Sequence, residues 1–402
     1  MTIFNSLGSN YNFRFALKSL FASNKKTAQT DLESLLQKKY GGEVALLYKA
    51  REALTLALET LLLSPKSPVA VNGFTCYAVY QAIIAVGLTP HYLDITPTDL
   101  NFSATELERA LAENPEIKVV IIQNTLGYPA EITDIETLCR QHNLIIIEDL
   151  AHSPGARYQD GREVGTIGDF TILSFSQDKM IDSISGGALI IRNKEYRLLS
   201  TIKIKRVNYA RRIKDRLYPL LTWLVRHTYA SGLGKIFHRF LNQLDILSRP
   251  IDNAGPGFHQ LSAWQCALAK NQLDNLATNL QHRKKIAERY AQKLDPKLVR
   301  RSIIEKVTSS ANLRFPIFVE SGRDELLIFL KNWGVHLADI WYDAAISPAN
   351  YLPLTNYQPG ECPKAETTAG QIMNLPTHAN ISPAQADQLA DLINLWLKST
   401  VE

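Results

Sequence analysis

LIIIED, residues Leu144–Asp149, is the stretch that decides the fold. Its four leading apolar residues leave no face for water, so a strand here must be covered on both sides. That is the signature of a parallel sheet layered between helices. The same alternation continues outward from about residue 44 to 192. VALLY (44–48), SPVAVNG (67–73), HYLDI (91–95), VVIIQN (119–124), FTILSF (170–175) and GALIIRN (187–193) read as strands. REALTLALETLLL (51–63), CYAVYQAIIAVG (76–87) and IETLCRQHN (135–143) read as helices, and Ser103 with Glu106 makes a capping-box start for TELERALAEN. Strand–helix alternation of this kind predicts an α/β fold with a mostly parallel sheet. Ligands of such sheets bind at the carboxyl ends of the strands, where Asp149 and Lys179 both fall.

The 402 residues divide by pattern into an N-terminal arm (1–40), a large α/β domain (41–201), a basic, aromatic helical insertion (202–250), and a long connecting helix with a small C-terminal α+β domain (251–402). In that last part, 262–294 reads as one long helix, and 313–319, 323–334 and 383–398 as a strand, a helix and a terminal helix. Hydrophobic content of 46% and charged content of 21% describe an ordinary globular chain. Cys76, Cys139, Cys266 and Cys362 are widely spaced without a C-x-x-C pair. That argues against a zinc site or a disulfide framework and for a cytoplasmic location. The first residues do not read as a signal peptide, and no apolar run is long enough to cross a bilayer.

The net charge of +5 is unevenly placed: 202–250 holds eleven Lys/Arg against two Asp, or +9, which leaves −4 for the remainder. This segment fits a subunit contact or a lid over an anionic substrate. It also fits a peripheral helix at a membrane surface. No nucleic-acid motif accompanies the charge, so no nucleic-acid partner is expected. Pro219 predicts two short helices in place of one long one.

Lys179 lies in SFSQDKMIDSISGGAL (174–189), between an apolar run and a glycine pair. A lysine there suggests an amine with a task. A strand-end aspartate thirty residues before a loop lysine suggests pyridoxal phosphate, which a lysine holds as a Schiff base while a carboxylate pairs with the pyridinium nitrogen. A free lysine titrates near about 10.4, so this one must be desolvated to act near neutral pH. The spacing alone fits other α/β proteins as well.

Several ordered blocks resemble the DegT/StrS family of sugar-nucleotide aminotransferases, which have the fold-type-I architecture. IIIEDLAHSPGARY is similar to the family's strand-end block and LSFSQDK to its lysine block. FTCYAVYQAIIAVGLTPHYLDI, NTLGYPAEITDIETLCRQHN and MNLPTHANISPAQADQL resemble further blocks, and the likeness runs from about residue 40 to the C-terminus with a gap at 202–250. The resemblance implies that Lys179 is the Schiff-base lysine and Asp149 the ring-nitrogen partner. It places His152 near the ring oxygen, Ser174 at the phosphate and Cys76 with Tyr77 at the ring-stacking position. It also implies a homodimer that moves an amino group from glutamate or a similar donor to a keto-sugar on a nucleotide or other anionic carrier.

The sequence departs from the family pattern in places. Ala50-Arg51 replaces the usual Gly-Thr or Ala-Thr of the phosphate cradle, though a helix N-terminus still offers N–H groups and Arg51 a charged fork. Ile184-Ser185-Gly186-Gly187 lacks the usual glutamate, and GPGFHQL (255–261) replaces the block that reaches the partner's phosphate. Two other readings therefore stand beside transamination: a sugar dehydratase or lyase with the same cofactor, and a non-catalytic, membrane-associated relative. Dehydratase relatives carry histidine in place of the lysine, so Lys179 speaks against the first. Each residue also has a plain structural reading: a solvated loop lysine for Lys179, a helix cap for Asp149, a core histidine for His152, a strand-end hydroxyl for Ser174, a surface residue for Arg51 and a buried apolar side chain for Cys76.

Overall fold

The computed structural model describes residues 2–401 except 23, 26, 200 and 252–256; side chains are described as far as 399. Gly255 and Pro256 of the GPGFHQL block thus lie outside the described residues. A nine-stranded sheet forms the body of the molecule, in the spatial order Ile204–Arg206, Phe258–Gln260, Glu43–Leu47, Gly187–Ile191, Phe170–Ser174, Ile145–Asp149, Val119–Gln123, Pro68–Asn72 and Thr89–Leu93. The last five run parallel, while Gly187–Ile191 is antiparallel to both of its neighbours. Ile146 and Ile147 are fully buried on opposite faces, as the apolar run requires. Two core clusters, one for each face of the sheet, account for most of the buried apolar side chains.

Helices cover the faces. Ala50–Thr60 buries Ala53, Leu54, Ala57 and Leu58. Ala104–Glu113 starts at Ser103, whose side chain accepts from Glu106 N as the capping pattern predicts. The C-terminal part pairs Arg314–Phe318 with Ile372–Pro376 in an antiparallel ribbon and ends in the helix Pro383–Val401.

Three expectations need correction. The pattern over 262–294 is two helices, Ala263–Asp274 and Leu276–Lys293, hinged at Asn275. The Asn275 amide donates to Asn271 O at 2.7 Å, the local bond by which asparagine competes with the helix ladder. Pro219 does not end a helix either: Tyr209–His227 runs through it. The buried stripe Asp215, Tyr218, Pro219, Thr222 and Val225 packs inward, and that packing outweighs the one lost backbone bond. The chain turns later, at Gly232 (φ 84°), before Leu233–Gln243. Finally, no helix follows Asp149; its side chain caps a turn instead.

The N-terminal arm is integral to the body. Ile3–Phe4 pairs with Val335–His336, and Phe13–Phe21 packs on Tyr209–His227. Ser9 N and Oγ donate to Asp178 Oδ1 at 3.1 and 3.0 Å, Asn10 Nδ2 to Lys179 O at 3.1 Å, and Tyr11 OH to Asp182 Oδ1 at 2.7 Å. The arm therefore fastens the loop that carries the lysine.

Candidate active site

A cavity of about 500 Å³ opens at the carboxyl ends of the parallel strands. Asp149 enters it from the end of Ile145–Asp149, Ser174 from the end of Phe170–Ser174 and Lys179 from the loop beyond. His152 follows Asp149 in a tight turn, and Ala50 and Arg51 come from the first turn of Ala50–Thr60. Cys76 precedes the helix Tyr77–Ala85 and also lines the cavity. Seven of the eight residues singled out in the sequence thus converge.

Tyr77 does not. It is buried one layer behind the lining, its ring stacked at 4.7 Å on Tyr351, which lines the cavity, and at 5.7 Å on Tyr80. The aromatic face of the site comes instead from Trp341, whose ring lies 5.3 Å from that of His152 at 24°. Lys179 Nζ sits 4.3 Å from the Trp341 centroid and the Arg314 guanidinium 3.9 Å from it.

Lys179 Nζ lies 2.7 Å from His152 Nε2. Burial pulls the Lys179 ammonium down to about 8, against the opposing pull of Cys76 and Asp149. Burial, and then the charges of Lys179 and Arg314, push the His152 imidazolium well below its ordinary range, so the ring is neutral. The Leu126 N–H donates to His152 Nδ1 at 3.1 Å. Nδ1 is therefore the acceptor and Nε2 carries the hydrogen. Asp149 Oδ1 accepts from Ala151 N at 2.9 Å; burial raises its pKa, and that bond and Lys179 oppose the rise. Tyr342 OH completes this wall, 3.3 Å from His152 Nδ1 and accepting from Gln123 Nε2 at 3.0 Å.

The other end of the cavity is cationic. Lys49 N-caps the helix Ala50–Thr60, with no side-chain cap bond to its first N–H groups. Its Nζ donates to Arg249 O and Pro250 O, each at 3.4 Å. Arg51 donates to Gln81 Oε1. Ser174 Oγ accepts from Ser176 N at 3.4 Å. A Cβ on Gly187 would stand 2.5 Å from Ala50 N and Cα, so only glycine lets the sheet approach the helix start this closely. A dianion at this end would meet helix N–H groups, a hydroxyl and two basic side chains.

Lys49, Gln123, Trp341, Tyr342 and Arg249 were not singled out in the sequence. Lys49 had a local signal, since it stands one residue before the helix start. The adjacent Trp341 and Tyr342 lie in the C-terminal part, about 160 residues beyond the lysine loop, and carry no motif that would place them here. Among the described residues no cluster of side chains suited to a metal ion occurs.

Comparison with known proteins agrees with this architecture. The sequence model of the DegT/DnrJ/EryC1/StrS aminotransferase family matches residues 12–394. The dTDP-4-amino-4,6-dideoxy-D-glucose transaminase of Shigella dysenteriae is 25% identical over 335 residues, 82% of this chain and 80% of that one. The GDP-perosamine synthase of Caulobacter vibrioides is 23% identical over 344 residues, 84% and 81% of the two chains. Among solved structures, Helicobacter pylori PseC, an aminotransferase involved in the biosynthesis of pseudoaminic acid, superposes with a TM-score of 0.72 at 18% identity, covering 99% of this chain and 100% of its own.

Proposed function

This chain belongs to the DegT/DnrJ/EryC1/StrS aminotransferase family, and on that premise we propose that it is a pyridoxal-phosphate-dependent aminotransferase acting on a keto-sugar. The amino donor would be glutamate or a similar amino acid, and the sugar would ride on a nucleotide or another anionic carrier. One observation carries the reading: a depressed amine, a buried carboxylate and a cationic helix start share one cavity. This donor set fits the cofactor, with an amine for its aldehyde, a carboxylate for its ring nitrogen and a cradle closed by Gly187 for its phosphate. The named relatives carry the names of nucleotide-linked amino sugars, which supports a nucleotide-linked sugar as the carrier class.

Bound pyridoxal phosphate supplies an electron-accepting ring through which the amino group is exchanged. Lys179 Nζ would hold the aldehyde carbon and later carry the proton to and from the substrate carbon. Asp149 would keep the ring nitrogen protonated. His152 would donate from Nε2 to the ring oxygen. Ser174 Oγ, the N–H groups at Ala50–Arg51 and the Lys49 and Arg51 side chains would hold the phosphate. Cys76 and Trp341, which both line the cavity, would pack beside the ring. The hollow beside Arg51, lined by Leu58, Leu62, Leu63 and Phe258 together with Glu52 and Glu59, is a surface that a second copy of the chain would cover in a homodimer.

The test is the absorbance of the protein supplied with pyridoxal phosphate, before and after L-glutamate, with borohydride fixation and peptide mapping. A long-wavelength band that glutamate discharges, and a fixed adduct on the Lys179 peptide that Lys179→Ala lacks, are the expected results. A cofactor that binds but that no amino acid discharges would remove transamination. An adduct on another lysine would remove the site.

A further inference from the structure

The helices Phe13–Phe21, Tyr209–His227 and Leu233–Gln243 form a layer outside the catalytic body, and their outer faces are not explained by the reaction. On the third helix Leu233, Ile236 and Phe240, followed by Leu244 at its C-cap, recur at i, i+3, i+7 and i+11, a single stripe. All four are more than half exposed. Ile213, Leu217, Leu220 and Leu224 recur at i, i+4, i+7 and i+11 on Tyr209–His227, again one stripe, with Ile213 and Leu224 exposed. The arm adds Phe13, Leu17 and Phe21, the last 80% exposed, and Phe13 meets Trp223 at 4.9 Å. An ordinary surface scatters such residues singly; here three packed helices each present a stripe.

The charge that accompanies these stripes is predominantly basic. Residues 209–245 hold seven Lys/Arg and two acids, Asp215, which is fully buried, and Asp245, which pairs with Lys214 at 2.8 Å; Phe13–Phe21 adds Arg14 and Lys18 and no acid. No helix is long and apolar enough to cross a membrane among the described residues, so the stripe is not part of a span. Two occupants compete. A second copy docked about a two-fold axis would set this basic face against itself, which like charges oppose. An anionic bilayer surface complements both features at once: its headgroups face the Lys/Arg and its acyl boundary takes the exposed Phe, Leu and Ile.

We propose that this three-helix face is a peripheral membrane-docking surface that recognises anionic lipid, holding the enzyme on a bilayer with the catalytic cavity elsewhere on the molecule. The inference does not depend on the reaction assigned above. Its test uses the full-length protein reconstituted with pyridoxal phosphate. Sedimentation is measured with vesicles of phosphatidylcholine and phosphatidylglycerol, and with vesicles of phosphatidylcholine alone. Binding to the first and not the second is expected, weakening with added salt. Ile236→Glu and Phe240→Glu should each reduce binding by about tenfold or more, and Lys235→Glu with Arg239→Glu similarly. Both apolar positions are solvent-facing, so circular dichroism and amino-transfer activity should match the parent. Absence of vesicle binding, or binding that these variants leave unchanged, overturns the proposal. So does an oligomer that Phe240→Glu dissociates, because the face would then be an interface between copies.

Discussion

His152 Nε2 and Lys179 Nζ are 2.7 Å apart, and the Leu126 N–H on the far side of the imidazole decides which of them donates. With Nδ1 occupied as an acceptor, the neutral ring offers N–H toward the lysine. That bond is made only when the amine is the free base. Burial has already brought the Lys179 pKa to about 8. Reaction of the apoprotein with pyridoxal phosphate, followed by absorbance across pH, should therefore show a midpoint near 8. His152→Phe removes the donor to the free base, and the midpoint should rise by about one unit. A parent midpoint near the ordinary lysine value would contradict the arrangement.

The same shift has a stability consequence with a definite sign. The folded Lys179 pKa lies below the ordinary 10.5. Between these values the unfolded chain binds more protons, so stability gains with rising pH across that window. Below about 8 the cost of burying the charge is present in full. Lys179→Met removes the charge and keeps the chain length. The apo form of this variant should be more stable than the parent at pH 7.5, by on the order of 1–3 kcal/mol, and the gap should shrink by pH 10.5. Denaturant unfolding at the two pH values measures it, and a gap that does not change with pH would show that Lys179 is charged in the fold.

How much of this was legible beforehand follows the range of the interactions. Strands and helices built from contiguous periodic runs could be read, because Leu144–Asp149 or Ala104–Glu113 carries its pattern within one segment. Lys179, Asp149 and Ser174 could be read because strand ends and their loops are local features. Tyr77 stands behind the lining because a helix start does not reveal which way its first ring turns; contact with Tyr351 decides that. Trp341 and the arm residues Ser9–Tyr11 could not be read, since they reach the lysine loop only through tertiary contact. Pro219 was misread for the same reason: packing outweighed local propensity.

Lys49 offers a separable test of the phosphate end. It is the N-cap residue of Ala50–Thr60, and its ammonium donates to the Arg249 and Pro250 carbonyls. Lys49→Met should weaken pyridoxal phosphate by roughly 10- to 100-fold, the worth of a charge-assisted bond. Pyridoxal, which has no phosphate, should bind parent and variant alike. Titration of the apoprotein with each compound checks this, and an equal loss for both would mean that Lys49 shapes the cavity without meeting the phosphate.

The inserted helix is tied to this end of the cavity by one buried carboxylate. Asp215 accepts from Tyr48 OH and Ser248 Oγ, both at 2.7 Å, and from Gln265 Nε2 at 3.2 Å. Tyr48 precedes Lys49, and Ser248 precedes the Arg249 and Pro250 carbonyls that Lys49 reaches, so one side chain joins the insertion to both walls of the cradle. Asp215→Ala takes the acceptor from Tyr48 OH and Ser248 Oγ, while Gln265 Nε2 keeps the Ser183 and Ser185 carbonyls, and should cost about 3 kcal/mol of unfolding free energy. Tyr48→Phe removes one bond and should cost about 1 kcal/mol. If the two residues act through their shared bond, the double variant should be less destabilised than the sum, by on the order of 1 kcal/mol. Urea unfolding of the four proteins supplies the cycle. Strict additivity would mean that Tyr48 and Asp215 do not brace one another across this bond.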